Sequence, residues 1–207
     1  MTIVSEFVGL RDIEDYFRNV PEVTTKAARL AINTVINRGG LKLIQDTMMD
    51  QVAFPNGYLK GDRLRVSKLA TEKNLEGAII ARKRATSLAR FAAAGTQIGS
   101  KGNSGVRVMV RNGKSVQLRN AWLVRLRKGK SLTEDQYNVG LAMRVKPGDS
   151  IAGKHSVHQA WLNPQHTVAL LYGPSVDQVF SDVAEDVGPQ ILDMVASEFF
   201  RQFERLS

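Results

Sequence analysis

The chain has 207 residues, of which 43% are hydrophobic and 24% charged, a composition typical of a soluble globular protein with a sizeable core. It contains no cysteine, which excludes disulfides, thiolate metal sites and cysteine nucleophiles. The net charge of +9 is uneven: residues 1–59 carry −1, residues 60–130 carry +15 and residues 131–207 carry −5. A basic segment of this size attracts nucleic acid or an acidic protein surface.

Residues 1–55 are predicted to be mainly helical. Between Pro21 and Val52, apolar residues recur every three or four positions, as they do on the buried side of an amphipathic helix. Gly39 and Gly40 interrupt this pattern and predict a kink or a break into two helices. The sequence shows neither a basic start before an apolar run nor an apolar run of about 18 residues, so we expect no secretory signal and no membrane span.

Residues 60–172 are predicted to be mainly strands and loops, because apolar and polar residues begin to alternate there. The stretch 106–111 alternates valine with arginine or methionine. The Asn112-Gly113 pair that follows is a strong short-range signal for a hairpin. Arginine also alternates with apolar residues at 63–66 and 122–127, which predicts a sheet with one apolar face and one arginine-bearing face. In the last stretch the residues expected to face inward are Trp122, Val124 and Leu126.

Two glycine-containing stretches, 92–105 and 146–158, are predicted to be exposed, mobile loops. A short strand at 167–172 follows them, and residues 175–205 are predicted to be helical. Ser175 suits the N-cap of this helix, and Pro189 is expected to bend it because proline lacks the backbone N–H that the helix requires.

These elements predict one α+β domain over residues 1–207. In this fold, long N-terminal and C-terminal amphipathic helices cover one face of an antiparallel sheet, and the long loops are exposed. The apolar sheet face needs such a cover, because full burial of each large apolar side chain stabilises a fold by about 1.5–3 kcal/mol. A charged residue in place of Val108 is therefore expected to prevent folding.

No complete catalytic or metal-binding set is visible. The three histidines, His155, His158 and His166, lie in or beside a polar loop without the helical spacing of a zinc site. Two Gly-Lys-Ser triplets, at 113–115 and 129–131, lack the first glycine of a phosphate-binding loop. We therefore expect no enzymatic activity, no metal, no cofactor and no small-molecule substrate.

Two motifs carry a resemblance to a known family: TSLARF at residues 86–91 and LYGPSV at residues 171–176, just before the C-terminal helix. Together with the stretches 57–59, 74–76 and 81–82, they make the chain resemble the minor tail protein Z family of tailed phages over about residues 55–205. The motif residues are treated as architectural; they are Thr86, Ser87, Leu88, Phe91, Tyr172, Gly173, Pro174 and Ser175.

The resemblance implies a structural protein of the virion, a tail completion or neck component at the head-proximal end of the tail tube. Such a subunit would be assembled in the host cytoplasm and would form an oligomeric ring. Its partners would be the tail terminator, the tail tube or other neck proteins. The family has no known catalytic residues, which agrees with the lack of a catalytic set in the sequence.

The sequence does not decide which partner the basic residues contact. In the first hypothesis, the arginine-bearing face packs against an acidic surface of an adjoining subunit, because a ring needs two complementary faces. In the alternative, the chain is a basic nucleic-acid-binding module at the head-tail junction. Two further possibilities are that the chain is a tail assembly factor, or that the basic face is solvated and neutralised by the chain's own acidic helix. The candidate contact residues are Arg63, Arg65, Arg82, Arg84, Arg90, Arg107, Arg111, Arg125 and Arg127.

Overall fold

A computed structural model describes residues 22–99, 105–126, 138–144 and 168–206. In these ranges the chain is α+β, with helices toward both ends and antiparallel strands between them, which confirms the predicted class. None of the helices described is both long and apolar enough to cross a membrane.

The chain divides into two compact units. The helical unit comprises Met1–Met48, Leu59–Arg82 and Asp177–Ser207. The sheet unit comprises Met49–Tyr58 and Lys83–Val176.

Two helices follow each other near the start of the described chain. Helix α1 spans Glu22–Val35, helix α2 spans Leu41–Gln51, and the π-helical segment Ile36–Gly40 joins them. Gly40 is buried there, and a Cβ atom at this position would lie 3.2 Å from the carbonyl oxygen of Val35. The predicted interruption at the glycine pair is therefore confirmed, and it takes the form of a widened turn.

Helix α3 spans Val176–Leu206 and begins directly after Ser175, the predicted N-cap residue. It continues through Pro189 as one helix. Its apolar stripe is buried only in the first half, at Val176, Val179, Val183 and Val187. Beyond Pro189, Gln202 is the one buried side chain among the described residues of this helix.

Eight strands are described, and they form three antiparallel sheets instead of the single sheet expected. The sheet β1-β2 belongs to the helical unit, whereas β3-β8-β7-β6 and β4-β5 belong to the sheet unit. The strand bounds are β1 Leu64–Lys68, β2 Ala78–Ala81, β3 Ala85–Ser87, β4 Val106–Arg111, β5 Lys114–Leu118, β6 Ala121–Leu126, β7 Asn138–Arg144 and β8 Val168–Ser175.

The predicted alternation is seen in β4, where Val106 and Val108 are buried, Val110 is half-buried, and Arg107, Met109 and Arg111 are exposed. In β6 the predicted inward face is wrong. Leu123 is buried at 6% exposure, whereas Trp122 and Val124 are only half-buried. Both sets of alternating residues in this strand contain apolar side chains, so the period of two does not decide which set faces the core.

Part of the first predicted loop is tied to the sheets. Ala93 N donates a hydrogen bond to the carbonyl of Arg107 at 2.9 Å, and Gly99 N donates to the carbonyl of Leu123 at 2.9 Å. The second predicted loop, 146–158, and all three histidines lie outside the described residues.

Candidate interaction surface

The nine arginines predicted as contact residues do not lie on one sheet. Three belong to the helical unit: Arg63 and Arg82, which are half-buried, and Arg65, which is exposed on β1. Five belong to the sheet unit and are all exposed: Arg84, Arg90, Arg107, Arg111 and Arg125. Arg127 lies outside the described residues. Six of the nine predicted arginines are exposed, but the alternation could not show that their strands belong to different units.

Charge separates the two units. The described residues of the helical unit carry 12 Lys and Arg against 12 Asp and Glu, so their net charge is zero. Those of the sheet unit carry nine Lys and Arg against one acidic residue, Asp50, so their net charge is +8. The positive potential of the protein is therefore concentrated on the sheet unit, where it attracts anionic partners.

Basic side chains of the helical unit have acidic partners close by. Arg82 Nη1 lies 3.5 Å from Asp62 Oδ2, and Lys68 Nζ lies 2.5 Å from Glu76 Oε2. The hydrogen bond from Lys68 lowers the pKa of Glu76 below its ordinary value. The described part of the sheet unit offers a single carboxylate, that of Asp50, for its nine basic residues.

One basic element of the sheet unit is the β4–β5 hairpin, which we call the basic ribbon (Val106–Leu118). The predicted turn is confirmed, since Gly113 has a φ of +74° and Arg111 pairs with Lys114 on either side of it. The exposed side chains of β4 are Arg107, Met109 and Arg111, and Lys114 at the start of β5 is also exposed. A register shift between Val108 and Arg111 interrupts the alternation, so Arg111 and Lys114 lie on the ribbon face opposite to Arg107.

Strand β5 of the basic ribbon extends beyond the core that buries β4. Its residues from Lys114 to Gln117 are exposed on both faces of the strand. Val116 shows this best, because it is 56% exposed although its cross-strand partner Val108 is only 5% exposed. The ribbon therefore presents both its outer face and its free edge to solvent.

The tip of the basic ribbon is anchored to the end of α2. The Asn112 side-chain amide donates hydrogen bonds to the carbonyls of Met49 at 2.5 Å and Asp50 at 3.1 Å. Ala53 N donates to the carbonyl of Val110 at 2.8 Å. The amide thus satisfies carbonyls that a helix end leaves without a partner, and it holds the tip in place.

The two motifs of the family resemblance meet in the core of the sheet unit. Strands β3 and β8 are antiparallel neighbours, with Thr86 opposite Gly173. Ser87 Oγ donates a hydrogen bond to the carbonyl of Val139 at 3.0 Å. A Cβ atom at Gly173 would lie 3.2 Å from the ring of Phe91, so a larger residue here would crowd that ring. The remaining motif positions include Tyr172 and Pro174, which are half-buried, and Ser175, which is buried.

An aromatic cluster supports the first motif. The hydroxyl groups of Tyr58 and Thr86 are 3.3 Å apart and buried. Phe54 stacks on Tyr58 with ring centroids 5.5 Å apart, and the Arg90 guanidinium lies 5.5 Å from the centroid of the Tyr58 ring. A cation in this position contributes about 0.5–1 kcal/mol at an exposed site. Arg90 therefore contributes to local structure, whatever else it contacts.

The second half of α3 exposes a second aromatic cluster, in the helical unit. The ring of Phe199 lies 5.4 Å from that of Phe200 and 6.0 Å from that of Phe203. Phe200 is 63% exposed, and Met194 and Phe203 are each 36% exposed. Grouped exposed aromatic side chains are typical of surfaces that a partner covers.

An open groove of about 480 Å³ lies between the end of α1 and the second half of α3, within the helical unit. Arg201 lines it and donates hydrogen bonds of 2.6 and 2.8 Å to the carboxylate of Glu198. These bonds lower the pKa of Glu198. A carboxylate that stays ionised beside a guanidinium is poorly suited to donate a proton.

Several residues that shape the basic surface were not among the predicted contacts. Lys114 was missed because the predicted contact residues were all arginines. The anchoring role of Asn112 was missed because its acceptors, Met49 and Asp50, are more than 60 positions away in the sequence. The contact between Tyr58 and Thr86 has no local signal for the same reason.

Among the described residues, no three His, Asp or Glu side chains gather where they could hold a metal ion. Comparison of the chain with known protein families, curated proteins and solved structures found no match. The features that bear on function are therefore the two motifs, the basic ribbon and the aromatic cluster of α3.

Proposed function

We propose that the chain is a non-catalytic structural subunit of a phage tail, acting as a tail completion or neck component at the head-proximal end of the tail tube. The observation that carries this proposal is the pairing of β3 with β8. TSLARF and LYGPSV lie far apart in the sequence, yet Thr86 and Ser87 of the first motif lie on β3, directly beside the part of β8 that carries the second motif. Two short motifs that resemble a family by chance need not meet in the fold, whereas two parts of a shared architecture should.

The subunit is proposed to work in the virion as a homo-oligomeric ring that contacts the tail terminator, the tail tube or another neck protein. A ring closes through contacts between two different faces of neighbouring copies. The cluster of Phe199, Phe200 and Phe203, in which Phe200 and Phe203 are exposed, supplies one such face. It has apolar side chains in the centre and the exposed charges of Glu204 and Arg205 beside them, the arrangement found in protein interfaces.

We expect Phe200→Ser to weaken the oligomer. Truncation of an aromatic anchor in an interface costs about 2 kcal/mol or more, which corresponds to roughly thirtyfold weaker association. Sedimentation velocity over a range of protein concentrations measures this change. Leu69→Ser is the matched control, because Leu69 is also a large exposed apolar residue of the helical unit, at 47% exposure. A wild-type protein that stays monomeric, or equal weakening by both variants, would contradict the proposed contact.

Interrupting the gene in the phage that encodes this chain tests the function. We expect such lysates to contain DNA-filled heads and tail tubes but few infectious particles, because the finished tail cannot join the head. A plasmid that supplies the wild-type chain should restore the titre. An undiminished titre without the chain would exclude the proposed role.

A further inference from the structure

We propose that the basic ribbon is a binding site for the phosphate backbone of double-stranded DNA. The side chains that carry the binding are Arg107, Arg111 and Lys114. The inference rests on the charge and geometry of the sheet unit, and it does not depend on the tail assignment.

The charge of the ribbon is left available for a ligand. Arg107, Arg111 and Lys114 are exposed, and none of them forms an ion pair with a described acidic residue. The one acidic residue in the described part of the sheet unit, Asp50, lies beside the tip, where its carbonyl holds Asn112. Among the described residues of the sheet unit, one acid is therefore present for these three basic groups. Phosphate groups would complete the neutralisation and release their condensed counterions.

The arrangement of the ribbon side chains fits a duplex. A register shift between Val108 and Arg111 places Arg107 opposite Gln117 on one face of the ribbon, and Arg111 opposite Lys114 on the other face. The major groove of DNA is about 12 Å wide and admits a two-stranded β-ribbon. Basic groups on the two faces of the ribbon can therefore contact phosphates on the two sides of one groove. The anchor formed by Asn112 fixes their backbone beforehand, so less conformational entropy is lost on binding.

The composition of the ribbon favours duplex DNA over two other partners. The segment 105–118 contains no aromatic residue on which an unpaired base could stack, which argues against single-stranded nucleic acid. Its exposed apolar residues, Met109 and Val116, lie on opposite faces, so they do not form the apolar centre of a protein interface. The proposed contacts are to phosphates, which carry no base information, so binding is expected to be independent of DNA sequence.

Fluorescence anisotropy with a labelled duplex of about 25 base pairs, titrated with the full chain at several salt concentrations, tests the proposal. The site variant reverses the charge of the ribbon: Arg107→Glu, Arg111→Glu and Lys114→Glu. The control variant makes the same change in net charge at exposed lysines of the helical unit: Lys26→Glu, Lys60→Glu and Lys73→Glu. Glutamine at the three ribbon positions separates loss of charge from repulsion. Thermal unfolding verifies that each variant is folded.

We expect the wild-type affinity to fall as salt rises, with a slope of about −0.9 for each phosphate neutralised. The glutamine variant should lose nearly three units of this slope, and the site variant should bind at least about tenfold more weakly than the control variant at low salt. Duplexes of unrelated sequence should bind alike.

Absence of binding at low salt would overturn the proposal and leave an acidic protein surface as the partner. Equal losses in the site and control variants would overturn the assignment to the ribbon, and tighter binding to single strands would overturn the choice of duplex.

Discussion

Val108→Asp is expected to abolish cooperative folding of the sheet unit. Val108 is 5% exposed on the inward face of β4, where a carboxylate would lose its hydration without gaining a partner. Burying an unpaired charge costs several kcal/mol, and a typical domain is stable by only about 5–15 kcal/mol. Circular dichroism and thermal unfolding should show loss of the unfolding transition or recovery of the protein only in aggregates.

Val116→Asp is the matched control for this prediction. It places the same substitution directly across the ribbon from Val108, at a side chain that is 56% exposed. We expect this variant to fold and to melt within about 2–4 °C of the wild type, the shift that corresponds to about 1 kcal/mol in a chain of this size. A soluble Val108→Asp variant that melts as cooperatively as the control would show that the inward face of β4 is assigned incorrectly.

Gly105→Ala is expected to have the second-largest effect on stability. Gly105 has a φ of +68°, and an added Cβ atom would overlap the carbonyl oxygen of Leu118 and lie 2.6 Å from the Cα atom of Arg119. The left-handed conformation alone costs about 1–2 kcal/mol for alanine. Overlap with backbone atoms that cannot rotate away adds about 1–3 kcal/mol. Denaturant unfolding measures the sum as a lower transition midpoint with an unchanged slope.

Gly113→Ala isolates the conformational part of that cost. Gly113 has a φ of +74°, but no heavy atom lies within 4 Å of the position that its Cβ would occupy. We therefore expect Gly113→Ala to lose about 1–2 kcal/mol and Gly105→Ala clearly more. Equal losses at the two positions would mean that the start of β4 moves freely away from Leu118.

The sequence predicted local elements well because their signals are local. The β4–β5 hairpin spans only about a dozen residues, and its signals, the alternation at 106–111 and the Asn112-Gly113 pair, lie within them. The break at Gly39-Gly40 was visible for the same reason. The assignment of strands to sheets was not visible, because it depends on contacts between distant segments. The inward face of β6 was predicted wrongly because Trp122 and Leu123 are adjacent and both apolar. The alternation therefore does not show which of them faces the core.

The candidate surface was predictable in composition but not in arrangement. The excess of positive charge in residues 60–130 is a property of the sequence. Among the described residues, its division between a neutral helical unit and a sheet unit of +8 depends on acidic residues that come from other parts of the chain, including α3. The predicted arginine-bearing face is therefore replaced by a smaller basic surface, the basic ribbon, which carries Lys114 as well as Arg107 and Arg111. Arg65 and Arg82 belong to the other unit.

The proposed role places the chain in the finished or nearly finished tail, at the end that meets the head. Gold-labelled antibodies against the chain, applied to purified virions and free tails of the phage that encodes it, test this claim most directly by electron microscopy. We expect the label at the junction of head and tail, and at the corresponding end of free tails. Label on the capsid or at the distal tip, or label absent from both virions and tails, would contradict the proposed function.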